Sequence, residues 1–274
     1  MAAGGSVDGF PRLRDACATR AGPLLRPDRG TTMHTQEDGS EMEDPTLAPR
    51  VSVVIMAWNE SASLPTVVRE IHAELVRLDT SFEILIVDDG SSDGTSQLAD
   101  QLAGTLPGLR VHHHGQNRGL GGVYRTGFAL ARGEFLTFFP ADGQFPAGII
   151  GDYLPAMDGA DMILGVLPER KRPLGARALS LAERLLLRAL FGGFPRFQGI
   201  LMFRRALLRD TPLHCQGRGW TVLMEFILRQ ARRGARIKNM PISIRPRASG
   251  TSKVNNLASI VSNLRQVLAL RLYL

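Results

Sequence analysis

The stretch Phe82–Ala99, FEILIVDDGSSDGTSQLA, decides the fold. A continuous apolar run stops at Asp88-Asp89-Gly90, and after a short polar turn a helix-forming segment starts at Asp93 or Thr95, both good N-cap types. A run of that length without alternation is what a strand buried on both faces requires. The same texture recurs outward from it, in VSVVIM (51–56), LRVHH (109–113) and EFLTFF (134–139), each followed by a segment with helical spacing such as Leu64, Val67, Val68, Ile71 and Leu75. Strand and helix in regular alternation predict an α/β fold, a mostly parallel sheet flanked by helices. A fifth run lies near Asp161–Leu164, and the second half adds a strand-like ILMF (200–203), a helix through Trp220–Gln230 and a strand-like ARIKNMPISI (235–244).

Ligands of such sheets bind beyond the carboxyl ends of the strands. The residues there are Asn59-Glu60, Asp88-Asp89-Gly90, Asn117-Arg118-Gly119 and Asp142-Gly143-Gln144. Asp88 and Asp89 fit two roles, turn formers or acceptors for a base or ribose. NRGLGG (117–122) is a Gly-rich loop entering a helix, whose backbone N–H groups can approach an anion. Its glycine spacing and its place after the third run differ from the dinucleotide fingerprint, which argues against NAD or FAD. In PADGQFP (140–146), Asp142 and Gln144 suit a Mg²⁺ or Mn²⁺ ion beside a diphosphate, and they also suit a simple turn. Arg245, Arg247 and Lys253 bracket a flexible ASGTS segment that could close on phosphates or stay solvated, and Arg170, Lys171, Arg172 and Arg177 form a second basic run. His112, His113 and His114 match no metal-binding spacing.

With 274 residues and 44% hydrophobic content, one catalytic domain is expected. A net charge of +7 favours a phosphate-rich substrate, an anionic membrane or nucleic acid. Nucleic acid is disfavoured because no stacking aromatics or binding motif accompany the charge. Two cysteines, Cys17 and Cys215, support neither a disulfide framework nor a Cys-based zinc site, which fits a cytoplasmic protein. Residues 1–48 carry no sustained periodicity and are expected to be a disordered leader, leaving 49–254 as the folded domain. No uncharged apolar stretch reaches the roughly 18 residues of a membrane span, so membrane contact is expected to be peripheral. Residues 255–274 read as an amphipathic helix with Leu257, Ile260, Val261, Leu264, Leu268 and Leu272 on one face, able to lie on a bilayer or on the core.

The ordered set VSVVIMAWNE, IVDDGSSDGT, NRGLGGVYRTG, PADGQFP, GWTVLMEFILRQARRG and PRASGTSK resembles the family 2 glycosyltransferases, in particular those that glycosylate dolichyl or polyprenyl phosphate. The resemblance spans about residues 50–265 and implies a GT-A nucleotide-diphospho-sugar transferase fold, an inverting transfer of a hexose from a nucleotide-diphosphate sugar, and a polyprenyl phosphate or other lipid acceptor at a membrane surface. It implies nucleotide-sugar contacts at Trp58, Glu60, Val87, Asp89, Ala141, Asp142, Gln144, Arg247 and Lys253, with Asp142 catalytic and Asp142 and Gln144 holding Mg²⁺ or Mn²⁺. Four positions depart from the family pattern: Met56 replaces a Pro, Pro140 the first Asp of D-x-D, Leu167 an Arg, and Arg196 an acidic residue. Pro140 removes one anionic metal ligand, which leaves a non-catalytic nucleotide-sugar-binding homologue as the alternative. The acidic base of hydroxyl-using relatives is also absent, its place reading Gly219-Trp220-Thr221, while Glu225 matches a Glu of the polyprenyl-phosphate group. An acceptor that is already an anion needs no such base, and Arg125, Arg170 or Arg172 are the cations expected to hold it.

Overall fold

The structure, a computed structural model, describes residues 48–168, 185, 187–246 and 266–271. The expected leader therefore lies almost wholly outside the described residues, as do Arg170, Lys171, Arg172, Arg177, Arg247, Lys253 and most of the expected C-terminal helix. The strands are β1 (Val51–Ala57), β2 (Phe82–Asp88), β3 (Leu109–His113), β4 (Phe135–Pro140), β5 (Met162–Val166), β6 (Leu201–Arg204) and β7 (Ile237–Pro241). They form one sheet in the order β3-β2-β1-β4-β6-β5-β7. β3, β2, β1 and β4 are mutually parallel, whereas β6 runs antiparallel to both β4 and β5, and β7 is parallel to β5.

The continuous apolar runs are explained by layers on both faces. Val53 and Ile55 of β1 face one layer and Val54 the other, as the two-residue period of a strand dictates. The first layer holds α1 (Leu64–Arg77), α2 (Thr95–Ala103) and α4 (Ile149–Ala156), the second α3 (Gly119–Leu130) and α5 (Thr221–Arg232). Leu64, Val67, Val68, Ile71 and Leu75 are the buried stripe of α1, with Pro65 in its first turn where a missing N–H costs nothing. On the opposite face Phe138 packs between Tyr124 and Phe128 of α3, with ring centroids 4.8 and 5.5 Å away. A Cβ at Gly127 would come within 2.5 Å of the Phe138 ring, so that glycine sets how closely α3 approaches the sheet.

Residues 266–270 are helical and dock on the core. Val267 and Leu270 are buried with Phe191, Met224 and Leu228, and Gln266 Oε1 accepts a hydrogen bond of 3.0 Å from Thr221 Oγ1. Leu268, placed by the sequence pattern on the apolar face, is instead 41% exposed. The described part of this segment thus buries a face offset from the expected one.

Candidate active site

Parallel pairing in register brings the four polar strand ends to one edge. Met56 lies opposite both Val87 and Pro140, so the loops after β1, β2 and β4 leave the sheet side by side. The first two are laced together: Asn59 N–H donates to Ser91 Oγ at 2.9 Å, Ser92 N–H to Asn59 Oδ1 at 2.8 Å, and Glu60 N–H to Thr95 Oγ1 at 2.9 Å. Asn59 sits at φ 53°, a left-handed conformation that Asn tolerates better than most side chains. Asp93 accepts from Thr95 and from Ser61 N–H. Desolvation alone would raise its pKa, but these hydrogen bonds prevail and hold it at about 2. Much of the D-D-G-S-S-D-G-T motif therefore builds the loop itself.

The two adjacent carboxylates separate into different roles. Asp88 is buried and accepts from Ser91 N–H at 3.2 Å, Ser96 Oγ at 2.5 Å and His113 Nδ1 at 2.9 Å. Burial opposes its ionisation, yet the hydrogen bonds prevail and its pKa falls below the usual value. Asp89 receives His114 Nδ1 at 2.7 Å and Arg118 N–H at 2.8 Å on Oδ1, and Gly119 N–H at 2.8 Å on Oδ2. His114 is buried, and its other ring nitrogen lies 2.8 Å from Thr126 Oγ1. Asp89 thus pins the start of α3 to the end of β2 while keeping acceptor capacity on Oδ2. His114 is a member of this site that the sequence pattern does not single out. Its signal is weak, because the pairing joins residues 25 apart in the chain.

His113 links two carboxylates, Asp88 and Asp100, the latter through Nε2 at 3.0 Å. Burial would lower its pKa, but the hydrogen bonds to Asp100 and Asp88 prevail and raise it above 6.5. A pKa raised on folding stabilises the native state fully below the unfolded value and loses that contribution as pH rises through the folded value. The melting temperature of His113→Asn is therefore expected to fall below that of the parent at about pH 6, with the gap closing as pH rises through the raised folded value. A gap independent of pH would show that the imidazole contributes through packing alone.

Of the other expected contacts, Trp58 is 40% exposed at the rim and Glu60 accepts from Ser63 Oγ at 3.0 Å beside the start of α1. The Val87 side chain is fully buried, so a contact from that position would come from its main chain. Ala141 is buried, and its N–H donates to Met56 O at 3.0 Å. Asp142 is 7% exposed and accepts from Gln144 N–H at 3.1 Å across Gly143, whose φ of 73° makes the tight turn. Arg245 N–H donates to Gln144 O at 2.8 Å, and its guanidinium pairs with Glu70 at 2.9 Å. The chain leading to Arg247 and Lys253 is thereby tied to the end of β4. Among the described residues no group of three or more His, Cys, Asp or Glu side chains is placed to hold a metal ion.

The Gly-rich loop differs from expectation. Three of its N–H groups are taken by the protein: Arg118 and Gly119 by Asp89, and Gly121 by Arg218 O at 2.9 Å. Glu225 also has a structural task. It is fully buried and accepts from His214 N–H at 3.0 Å, Cys215 N–H at 2.8 Å and Arg229 Nε at 3.0 Å, which fixes the loop before α5. Arg125 reaches the same loop at Gly217 O, 3.2 Å away.

A family model described as glycosyl transferase family 2 matches residues 52–230, more than half of the chain and all of the strand ends above. The chain belongs to glycosyl transferase family 2. This glycosyltransferase is 31% identical over 252 residues to a polyprenol monophosphomannose synthase of Mycolicibacterium smegmatis, covering 85% of this chain and 90% of the relative. It is 30% identical over 220 residues to an undecaprenyl-phosphate mannosyltransferase of Micrococcus luteus, covering 75% and 88%. A glucosyl-3-phosphoglycerate synthase from Mycobacterium tuberculosis, solved with Mn²⁺, uridine diphosphate and glucosyl-3-phosphoglycerate, superposes with a TM-score of 0.59 at 22% identity, covering 81% of each chain. The transferase has the GT-A fold.

Proposed function

We propose that the enzyme transfers a hexose, with inversion, from a nucleoside-diphosphate sugar to a polyprenyl phosphate at a membrane surface. The observation that carries this reading is the lack of a carboxylate on the loop before α5, where the resemblance places the base of hydroxyl-using relatives. The segment 211–220 contains no carboxylate, and Glu225 behind it is sealed from solvent by its own hydrogen bonds. A sugar hydroxyl would have to lose its proton to such a base. A phosphate acceptor is already anionic: its oxygen forms the new bond to the anomeric carbon as the bond to the diphosphate oxygen breaks, and the electron pair leaves on the nucleoside diphosphate. The polyprenyl-phosphate relatives point the same way. No helix among the described residues is long and apolar enough to cross a membrane, and a peripheral placement accords with this.

On the donor side Trp58 would stack on the base, Asp89 would accept from it, and Arg247 and Lys253 would hold the phosphates. The β4 turn fits a hard divalent cation, since Mg²⁺ or Mn²⁺ beside a diphosphate is commonly held by one or two carboxylates, with phosphate oxygens and waters completing the shell. Asp142 would supply the carboxylate and Gln144 an amide oxygen. When bound, the ion would offset charge on the departing diphosphate. Pro140 favours a second reading, a binding protein that has lost catalysis.

Calorimetric titration of the full chain with GDP and UDP, each with and without Mg²⁺ or Mn²⁺, tests the donor site. One nucleotide is expected to bind, and to bind more tightly with metal. Binding of neither nucleotide under any condition would overturn the donor-site reading, and binding without turnover of the sugar nucleotide would favour the second reading.

A further inference from the structure

The glycines of NRGLGG have a purpose that their number alone does not reveal. A Cβ at Gly121 would lie 2.0 Å from Gly217 O, one at Gly119 2.6 Å from Arg218 O, and one at Gly122 2.4 Å from Arg118 Cβ. These positions are bare because the Gly217–Gly219 loop lies directly on the first turn of α3 and Arg118 folds back over the second. The close fit gathers three arginines. Arg218 Cβ would be 3.0 Å from a Cβ at Gly119, Arg118 runs along Gly122, and Arg125, on the same face of α3 one heptad on, reaches under the loop to Gly217 O at 3.2 Å.

None of the three is neutralised among the described residues. Arg218 donates to Asn117 O at 2.8 Å and to Asn117 Oδ1 at 2.5 Å, both uncharged acceptors that hold the guanidinium without cancelling its charge. Arg125 donates to carbonyls; burial is the main cause that lowers its pKa, Cys215 opposes it, and the nearby Arg118 charge adds to the lowering. The Arg118 side chain, exposed, makes no hydrogen bond or ion pair with a described residue. Like charges held together by rigid neutral partners repel, and an external anion with several acceptor oxygens relieves that repulsion best. Arginine forks match a phosphate's geometry. The loop that carries Arg218 stands immediately before α5, where the resemblance places the acceptor.

We infer that Arg118, Arg125 and Arg218 form the binding site for the phosphate of the acceptor lipid. This rests on the reading of a polyprenyl phosphate acceptor, and the same chemistry could serve the donor's phosphates, so the test separates the two. Farnesyl phosphate and farnesol are titrated into the full chain, and GDP and UDP are titrated in parallel, for the parent and for Arg118→Ala, Arg218→Ala and Arg218→Lys. The parent binds farnesyl phosphate and not farnesol. Each Ala variant loses about ten-fold or more of that affinity, the value of one charge-assisted hydrogen bond, while nucleotide affinity stays within about two-fold. Arg218→Lys, which keeps the charge and loses the fork, falls between. Unchanged farnesyl phosphate binding overturns the inference, and so does a loss confined to nucleotide binding, which would assign the arginines to the donor. Failure of the parent to bind either nucleotide strikes the donor-site reading and leaves the farnesyl phosphate comparison intact.

Discussion

Asp142→Ala is expected to lower sugar transfer by at least about a hundred-fold while the protein stays folded. The size follows from how few groups share the task. The family pattern has a second carboxylate where this chain has Pro140, so on the proposed reading Asp142 is the sole anion in residues 140–146 that would hold a cation against a departing diphosphate. Losing a group that acts on charge developing in the transition state commonly costs 10² to 10³ in rate, and no second carboxylate remains in that turn to soften the loss. The fold is expected to survive because the turn bond that Asp142 accepts from Gln144 N–H, 3.1 Å long, is worth only about 1 kcal/mol. Asp142→Asn sharpens the measurement, since it keeps an oxygen for that turn and loses the charge. Transfer from a labelled sugar nucleotide, followed with melting curves, gives the answer. Activity within a few-fold of the parent in both variants would remove Asp142 from the reaction.

Glu225→Ala is expected to give the largest loss of stability, about 3 to 5 kcal/mol in denaturant unfolding. The carboxylate is fully buried on α5, and its removal takes away the acceptor shared by the His214 and Cys215 N–H groups and the Arg229 guanidinium. Breaking such a buried arrangement from one side costs more than the intact arrangement contributes. Glu225→Gln keeps one acceptor oxygen and is expected to lose less, about 1 to 3 kcal/mol. A loss below about 1 kcal/mol in the Ala variant would mean that solvent or a neighbour replaces the carboxylate and that the loop before α5 is held by other contacts.

The first half of the fold was legible because β1, β2 and β4 are six or seven residues long and buried on both faces, and all four of its strands are punctuated by polar turns. Each of the runs at 51, 82, 109 and 134 became a parallel strand, and the groups placed at their ends came together at one edge. The second half was legible as elements only. β6 has four residues, and a run that short carries no information on direction, so its antiparallel insertion between β4 and β5 could not be read from periodicity. Site chemistry failed in an analogous way where partners are distant in sequence. Gly121 looks like an anion-binding glycine until Arg218 O, almost a hundred residues on, is found on its N–H. Glu225 looks like a functional carboxylate until the loop behind it is seen to use it up. The α3 glycines and Glu225 belong to one arrangement, the seating of a single loop against two helices.

The antiparallel insertion of β6 also governs how the chain is made. Translation delivers β1 to β4 first, and these four can pair at once, but the far edge of β4 receives its neighbour only when residues 201–204 emerge, about 60 residues later. At the usual ~5–20 residues per second this leaves a hydrophobic strand edge unpaired on the ribosome for about 3 to 12 s. Phe203 and Phe226, which complete the aromatic cluster around Phe128 on that face of the sheet, are also missing in this interval. The nascent chain is thus most open to sticking and to chaperone capture while residues 141–204 are still being synthesised, and slow codons between β4 and β6 would prolong that exposure.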